Sequence, residues 1–249
     1  MRVVYSRIYS PALGHDMHVW AYGHYGRPLL AFPSAACSAN NWADYGMIHV
    51  LAPWIAAGKL KVYCTSSVDG DCLLNPDSPE PIRVHRMQCF EDYVLNNLVP
   101  AIRFDCRGDV QIATAGVSSG GYHAVHWGLK RPDIFPWALG MSGKYDIARL
   151  WEGYGSQGAY FSDVMSYSAN MHGPHLDWVR RHAHIILTAG RGPHEGNCLP
   201  ETERLGAILR AKGVSSETDI WGHDAAHHWF WWKRQLTHHI GRALGNPWG

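Results

Sequence analysis

The stretch Asp109 to Ala124, DVQIATAGVSSGGYHA, constrains this chain more than any other. An apolar run, Val110 to Ala115, ends in Gly116-Val117-Ser118-Ser119-Gly120-Gly121, and helix-compatible residues follow with no proline before Pro132. Strand, sharp turn and helix in that order match the G-x-S-x-G elbow, in which a serine takes a strained backbone conformation. Glycines two residues to either side, here Gly116 and Gly120, remove side chains that would collide with strand and helix. The turn lifts the Ser118 hydroxyl above the carboxyl end of a central strand, and the N–H groups opening the next helix face any oxyanion that develops there. A glycine-rich turn with an idle serine has the same letters; the flanking strand and helix favour the elbow.

Around this stretch the pattern alternates. Val3 to Ile8 and Met17 to Tyr22 read as an antiparallel hairpin at a sheet edge. Leu29 to Phe32, Leu60 to Cys64, Phe135 to Met141, Ala183 to Ala189 and Glu217 to Trp221 read as further strands, several apolar throughout as buried parallel strands are. Helices are expected over Met47 to Ala57, Ile82 to Phe104 with a break at Pro100, the elbow helix, Pro200 to Lys212, and Trp229 to Leu244. The fold class is therefore α/β: a mainly parallel twisted sheet with helices on both faces and an antiparallel N-terminal edge hairpin. With 249 residues, no repeats and no linker, positions 1–249 form one domain. Residues 151–174 break the rhythm with glycines and aromatics, a composition that suits equally a cap over a site and a packed excursion of short helices.

A net charge of +1 offers no basic field for nucleic acid, and the charged and proline-broken N-terminus is neither a secretory leader nor a membrane span. A small-molecule partner and a cytoplasmic location are the expectations; a homo-oligomer is compatible with the composition. Six cysteines without CxxC spacing read as reduced core residues, although Cys64 and Cys72 could close a loop. Seventeen histidines show no metal-ligand spacing, so neither a metal nor a cofactor is expected. Asp69 and Asp71 could ligate a cation, but Asp-Gly-Asp more often makes a turn.

A serine hydroxyl needs a base within hydrogen-bond reach and a carboxylate to orient that base. Elbow enzymes order these serine, acid, histidine, with the acid after a late strand and the histidine after the last. Strand Ala183 to Ala189 runs into a loop carrying Glu195, and the last strand runs into a loop carrying His223, His227 and His228. Asp146, after the preceding strand, is a reserve acid. Spacing alone does not choose among the three histidines. Trp229, Trp231 and Trp232 flank them, as helix core or as an acyl-binding wall.

The chain resembles the putative-esterase family of α/β-hydrolases, which includes S-formylglutathione hydrolases, feruloyl esterases and mycolyltransferase antigens. The resemblance rests on SPALGHDM at 10–17, LLAFPS at 29–34, KVYCTSSVDG at 61–70, GVSSGGYHA at 116–124, MSGKYDI at 141–147 and WGHDAAHHWFWW at 221–232. The family's C-terminal His-Asp-Trp aligns with His227-His228-Trp229. This implies His227 as the base, with His228 in place of the usual aspartate, and favours Glu195 as the acid. The oxyanion donors are then the N–H of Ser119, the residue after the nucleophile, and a backbone N–H in the loop after Phe32, which the resemblance assigns to Ala35 with Ser34 next. The expected activity is hydrolysis of carboxylic esters through an acyl-enzyme at Ser118. The resemblance also allows acyl transfer to an alcohol, and the fold alone would allow a non-catalytic binding protein, against which the complete set of candidate groups argues.

Overall fold

The computed structural model describes residues 1–245. In chain order the elements are β1 (Val3–Ser10), β2 (His15–Tyr22), β3 (Arg27–Phe32), α1 (Asn41–Asp44), α2 (Met47–Ala56), β4 (Leu60–Thr65), α3 (Glu80–Tyr93), α4 (Val99–Cys106), β5 (Ala113–Val117), α5 (Ser119–Lys130), β6 (Trp137–Met141), α6 (Ile147–Leu150), α7 (Gln157–Ser162), α8 (Val164–Asn170), α9 (Gly173–His182), β7 (His184–Ala189), α10 (Cys198–Ala211), β8 (Ser215–Ile220) and α11 (Trp229–Gly245). The described strands form one sheet in the order β1-β2-β4-β3-β5-β6-β7-β8. The β1–β2 and β2–β4 pairs are antiparallel and every other pair is parallel, as the edge hairpin and apolar strands require.

Alternation along the strands divides the core in two. Leu30 and Phe32 of β3 face a cluster with Phe90, Tyr93, Trp127, Val179 and Leu205, contributed by α3, α5, α9 and α10. Leu29 and Ala31 face the other way, onto Leu51 and Ile55 of α2 and Trp232, Leu236 and Ile240 of α11. These side chains are all but excluded from water, so both faces of the central strands are covered, which a parallel sheet demands. No helix among the described residues is long and apolar enough to cross a membrane.

Two expected element bounds change. Strand β5 begins at Ala113 and continues through Gly116 and Val117, because Ala113 pairs with Leu29 while Gly116 and Val117 pair with Gly140 and Met141. The expected helix 82–104 runs on without a stop, but it widens before Pro100: a π turn over Val94–Leu98, right-handed helical at both ends, joins α3 to α4 and absorbs the bond that the proline nitrogen cannot donate. Cys64 and Cys72 are both free thiols. Within 151–174, the Tyr122 hydroxyl donates to the Ser162 carbonyl (2.8 Å), Trp151 donates to Leu73 O (3.1 Å), and Gly155 and Ser156 N–H donate to Glu80 (both 2.9 Å). This segment is thus tied to α5, to the loop after β4 and to α3.

Candidate active site

Ser118 has φ 56° and ψ −122°, a left-handed conformation disfavoured for any residue with a side chain. Its N–H donates to Met141 O (2.9 Å) and its carbonyl accepts from Gly121 N–H (3.0 Å). The flanking glycines are required by contact rather than by φ. A Cβ on Gly116 would lie 1.9 Å from Gly120 O, and one on Gly120 would lie 2.4 Å from Pro33 O. Backbone therefore meets backbone where β5, α5 and the end of β3 converge.

That convergence brings the loop after β3 against the elbow. Ala35 takes φ 47°, and the Ser119 hydroxyl donates to its carbonyl at 3.5 Å. Ser34, the other candidate donor, gives its N–H to the buried Asn41 Oδ1 (3.0 Å), which leaves the Ala35 amide as this loop's candidate. Ser119 opens α5, and the first N–H groups of a helix have no acceptor within it.

Two strands over, β7 leads to Glu195. This carboxylate is 3% exposed, and its Oε1 accepts from Ser142 Oγ (2.8 Å) and from Gly190 N–H (3.0 Å). Its Oε2 faces Nδ1 of His227 at 3.4 Å. An ionised carboxylate can only accept, so the proton of that bond sits on Nδ1 and Nε2 carries the lone pair. Among the described residues no hydrogen bond joins the Ser118 hydroxyl to His227. The two loops interlock: His227 N–H donates to Pro193 O (3.0 Å) and Gly192 N–H to Ala225 O (2.8 Å). Gly190 and Gly192 serve this approach, since a Cβ on either would fall 1.8 Å or 2.6 Å from Ala225 backbone atoms, while the left-handed residues of the loop are His194 and Gly196.

The other candidates have different partners. Asp146 caps α6, accepting from Arg149 N–H (2.8 Å), and pairs with Arg204 (3.1 Å). His228 Nδ1 accepts from Phe230 N–H (3.2 Å) at the start of α11, and His223 and Asp224 are exposed. Asp69 is fully buried against His123 (2.7 Å) and Asp71 pairs with Arg86 (2.9 Å), so the two carboxylates serve separate contacts. The tryptophans divide. Trp229 stacks on Tyr45 with centroids 4.4 Å apart, Trp231 meets Trp221 edge-on, and the buried Trp232 meets the His227 ring edge-on at 4.7 Å.

Donor atoms of Glu195, Cys198 and His227 lie within 4.8 Å of one another, as do those of Asp219, His238 and His239. In each set a histidine already bonds the carboxylate. Burial, with Glu195 adding to it, pushes the Cys198 thiol up to about 12, so this cysteine is no nucleophile at neutral pH. The sequence assigns no role to Ser142 and offers Trp232 only as helix core or acyl-binding wall; a serine directly after an apolar strand, at the edge that holds the elbow, is the available signal for the first.

A model of the putative esterase family matches residues 80–243, a span containing Ser118, Glu195 and His227 but not Ala35. No curated protein matches the chain. Among solved structures, a ferulic acid esterase superposes with a TM-score of 0.76 at 16% identity, covering 98% of this chain and 97% of its own. MPT51 of Mycobacterium tuberculosis gives 0.74 at 13% identity, covering 98% of both chains. The S-formylglutathione hydrolase of Staphylococcus aureus gives 0.65 at 13%, covering 98% and 97%. The architecture they share with this chain is the α/β-hydrolase fold.

Proposed function

Because the chain belongs to the putative-esterase family, we propose that it is a serine hydrolase that cleaves carboxylic esters of small molecules through an acyl-enzyme. Membership of that family supports ester hydrolysis in general; the finer reading comes from the site. The observation that carries it is the His227–Glu195 pair, at the same sheet edge as the left-handed Ser118 and in the chain order serine, acid, histidine.

In this reading Ser118 Oγ attacks the ester carbonyl carbon while His227 Nε2 takes the hydroxyl proton. Charge moves to the carbonyl oxygen, which the Ser119 and Ala35 N–H groups receive. The C–O bond to the alcohol then breaks, with the proton passing from His227 to the leaving oxygen. Water enters, loses a proton to His227 and attacks the acyl carbon, releasing the acid and restoring Ser118. Glu195 accepts from Nδ1 throughout and stabilises the imidazolium. Catalytic hydrogen bonds are often long before substrate binds, consistent with the 3.4 Å His227–Glu195 separation.

A fluorophosphonate probe tests this. Mass spectrometry of the treated protein should find the adduct on Ser118 and on no other serine, and Ser118→Ala should lose both labelling and hydrolysis of p-nitrophenyl esters. Folded protein in which Ser118 stays unlabelled overturns the reading.

A further inference from the structure

Glu195 is held from behind by two buried side chains with no part in the reaction as written. Ser142, directly after β6, donates from Oγ to Glu195 Oε1 at 2.8 Å. Ser142 Oγ in turn accepts from Trp232 Nε1–H at 3.0 Å. An indole N–H can only donate and a carboxylate can only accept, so the single hydroxyl proton of Ser142 has one direction to point. Every bond in the sequence Trp232, Ser142, Glu195 therefore has a fixed polarity. With Gly190 N–H on the same Oε1, that oxygen has two donors, and Oε2 is left for His227.

The backbone agrees. Ser142 takes φ 47°, although it carries a side chain, and its N–H donates to Thr188 O (2.7 Å) on the neighbouring strand. Such conformations persist where the surroundings hold them, and they gather at functional sites. Ser142 is fully buried and Trp232 nearly so, so water does not compete for these bonds. Trp232 also meets the His227 ring edge-on at 4.7 Å, touching the base as well as the residue that orients the acid.

We propose that Ser142 and Trp232 are positioning residues for the acid, forming a one-way donor chain that turns Glu195 Oε2 toward His227 Nδ1; this rests on the serine-hydrolase reading. Hydrogen-bond partners that orient metal ligands change activity by about 10- to 100-fold when removed, and the same scale is expected for partners that orient this acid.

The test measures steady-state hydrolysis of p-nitrophenyl acetate, giving kcat and KM, alongside the melting temperature. Ser142→Gly removes the hydroxyl while relieving the left-handed strain, so its melting temperature should hold while kcat falls about 10- to 100-fold with KM nearly unchanged. Trp232→Phe, which keeps a ring but loses the N–H, should also lower kcat, by about 10-fold or less. In a Glu195→Ala background, adding Ser142→Gly should change the rate by less than about 3-fold, because residues that act through one another are not additive. Wild-type kcat in folded Ser142→Gly, or a full further loss in the Glu195→Ala background, overturns the proposal. Full activity in Ser118→Ala or Glu195→Ala would instead overturn the hydrolase reading and the proposal with it.

Discussion

Glu195 and His227 are tied twice: side chain to side chain, Oε2 to Nδ1 at 3.4 Å, and loop to loop, where His227 N–H donates to the Pro193 carbonyl at 3.0 Å. The second tie keeps the imidazole near its partner even when the first is long. Glu195→Gln should therefore leave the fold intact and lower kcat on the order of 10³- to 10⁴-fold, because an amide can present the wrong group to Nδ1 and favour the wrong tautomer. Asp146→Asn, which alters the α6 cap and the Arg204 pair, should keep kcat within several-fold of wild type. Steady-state kinetics on both variants decide, and the reverse ranking would make Asp146 the acid.

His227→Ala should lose on the order of 10⁴-fold in rate, the scale of losing a triad member. His223→Ala and His228→Ala should keep most activity, since His223 is exposed and His228 accepts a backbone N–H at the start of α11. If His223→Ala is the dead variant, the base is misassigned by four residues.

Much of this was legible because elbow and strands are local patterns. Apolar runs bounded by glycine and proline gave the sheet, and a serine between two glycines marked the turn. Choosing His227 over its neighbours needed the family resemblance, since three histidines in six residues share one loop. The purpose of Gly190 and Gly192 is not legible locally, because the approach of the Ala225 backbone joins residues distant in sequence. Ser142 was hidden for the same reason: its link to Glu195 spans 53 residues and its link to Trp232 spans 90. Strand β5 runs past its expected end because Gly116 looks like turn chemistry but serves as a strand residue, paired with Gly140 of β6 and packed on the Gly120 backbone.

Gly190→Ala tests the interlocked loops. A Cβ there would lie 1.8 Å from the Ala225 carbonyl oxygen, so the loops must separate. Overpacking of this kind costs about 1–3 kcal/mol or more, and separating the loops should also pull His227 from Glu195. The urea midpoint and kcat should fall together. Gly155→Ala, with open space around the added methyl, is the control and should shift stability by no more than about 0.5 kcal/mol. A wild-type midpoint and rate for Gly190→Ala would contradict the contact.

Acid should weaken the fold in two stages, through a cluster behind the elbow helix. Glu91 of α3 accepts from Lys130 Nζ (2.6 Å) and bonds His126 Nε2 (2.9 Å), both on α5. Burial works against its charge, but the hydrogen bond from His126 and the nearby Lys130 outweigh it and hold the carboxyl at about 2, against an ordinary 4.5. Burial likewise lowers His126 below its ordinary 6.5. Both groups thus take up protons more readily in the unfolded chain, so each contributes stability that is present above its ordinary value and lost as pH falls. The His126 contribution should start to fade below pH 6.5, and the Glu91 contribution between 4.5 and about 2, where it amounts to at most about 3 kcal/mol. Urea midpoints measured from pH 7 to pH 3 should fall with a steepening slope below pH 4.5. Glu91→Gln removes one of the carboxyls that titrate, so that variant should be less stable at pH 7 and lose less than wild type below pH 4.5, the remaining loss coming from Asp105, Asp133 and Asp219, which are also held below their ordinary value. An identical slope in both proteins would assign the acid sensitivity to other groups.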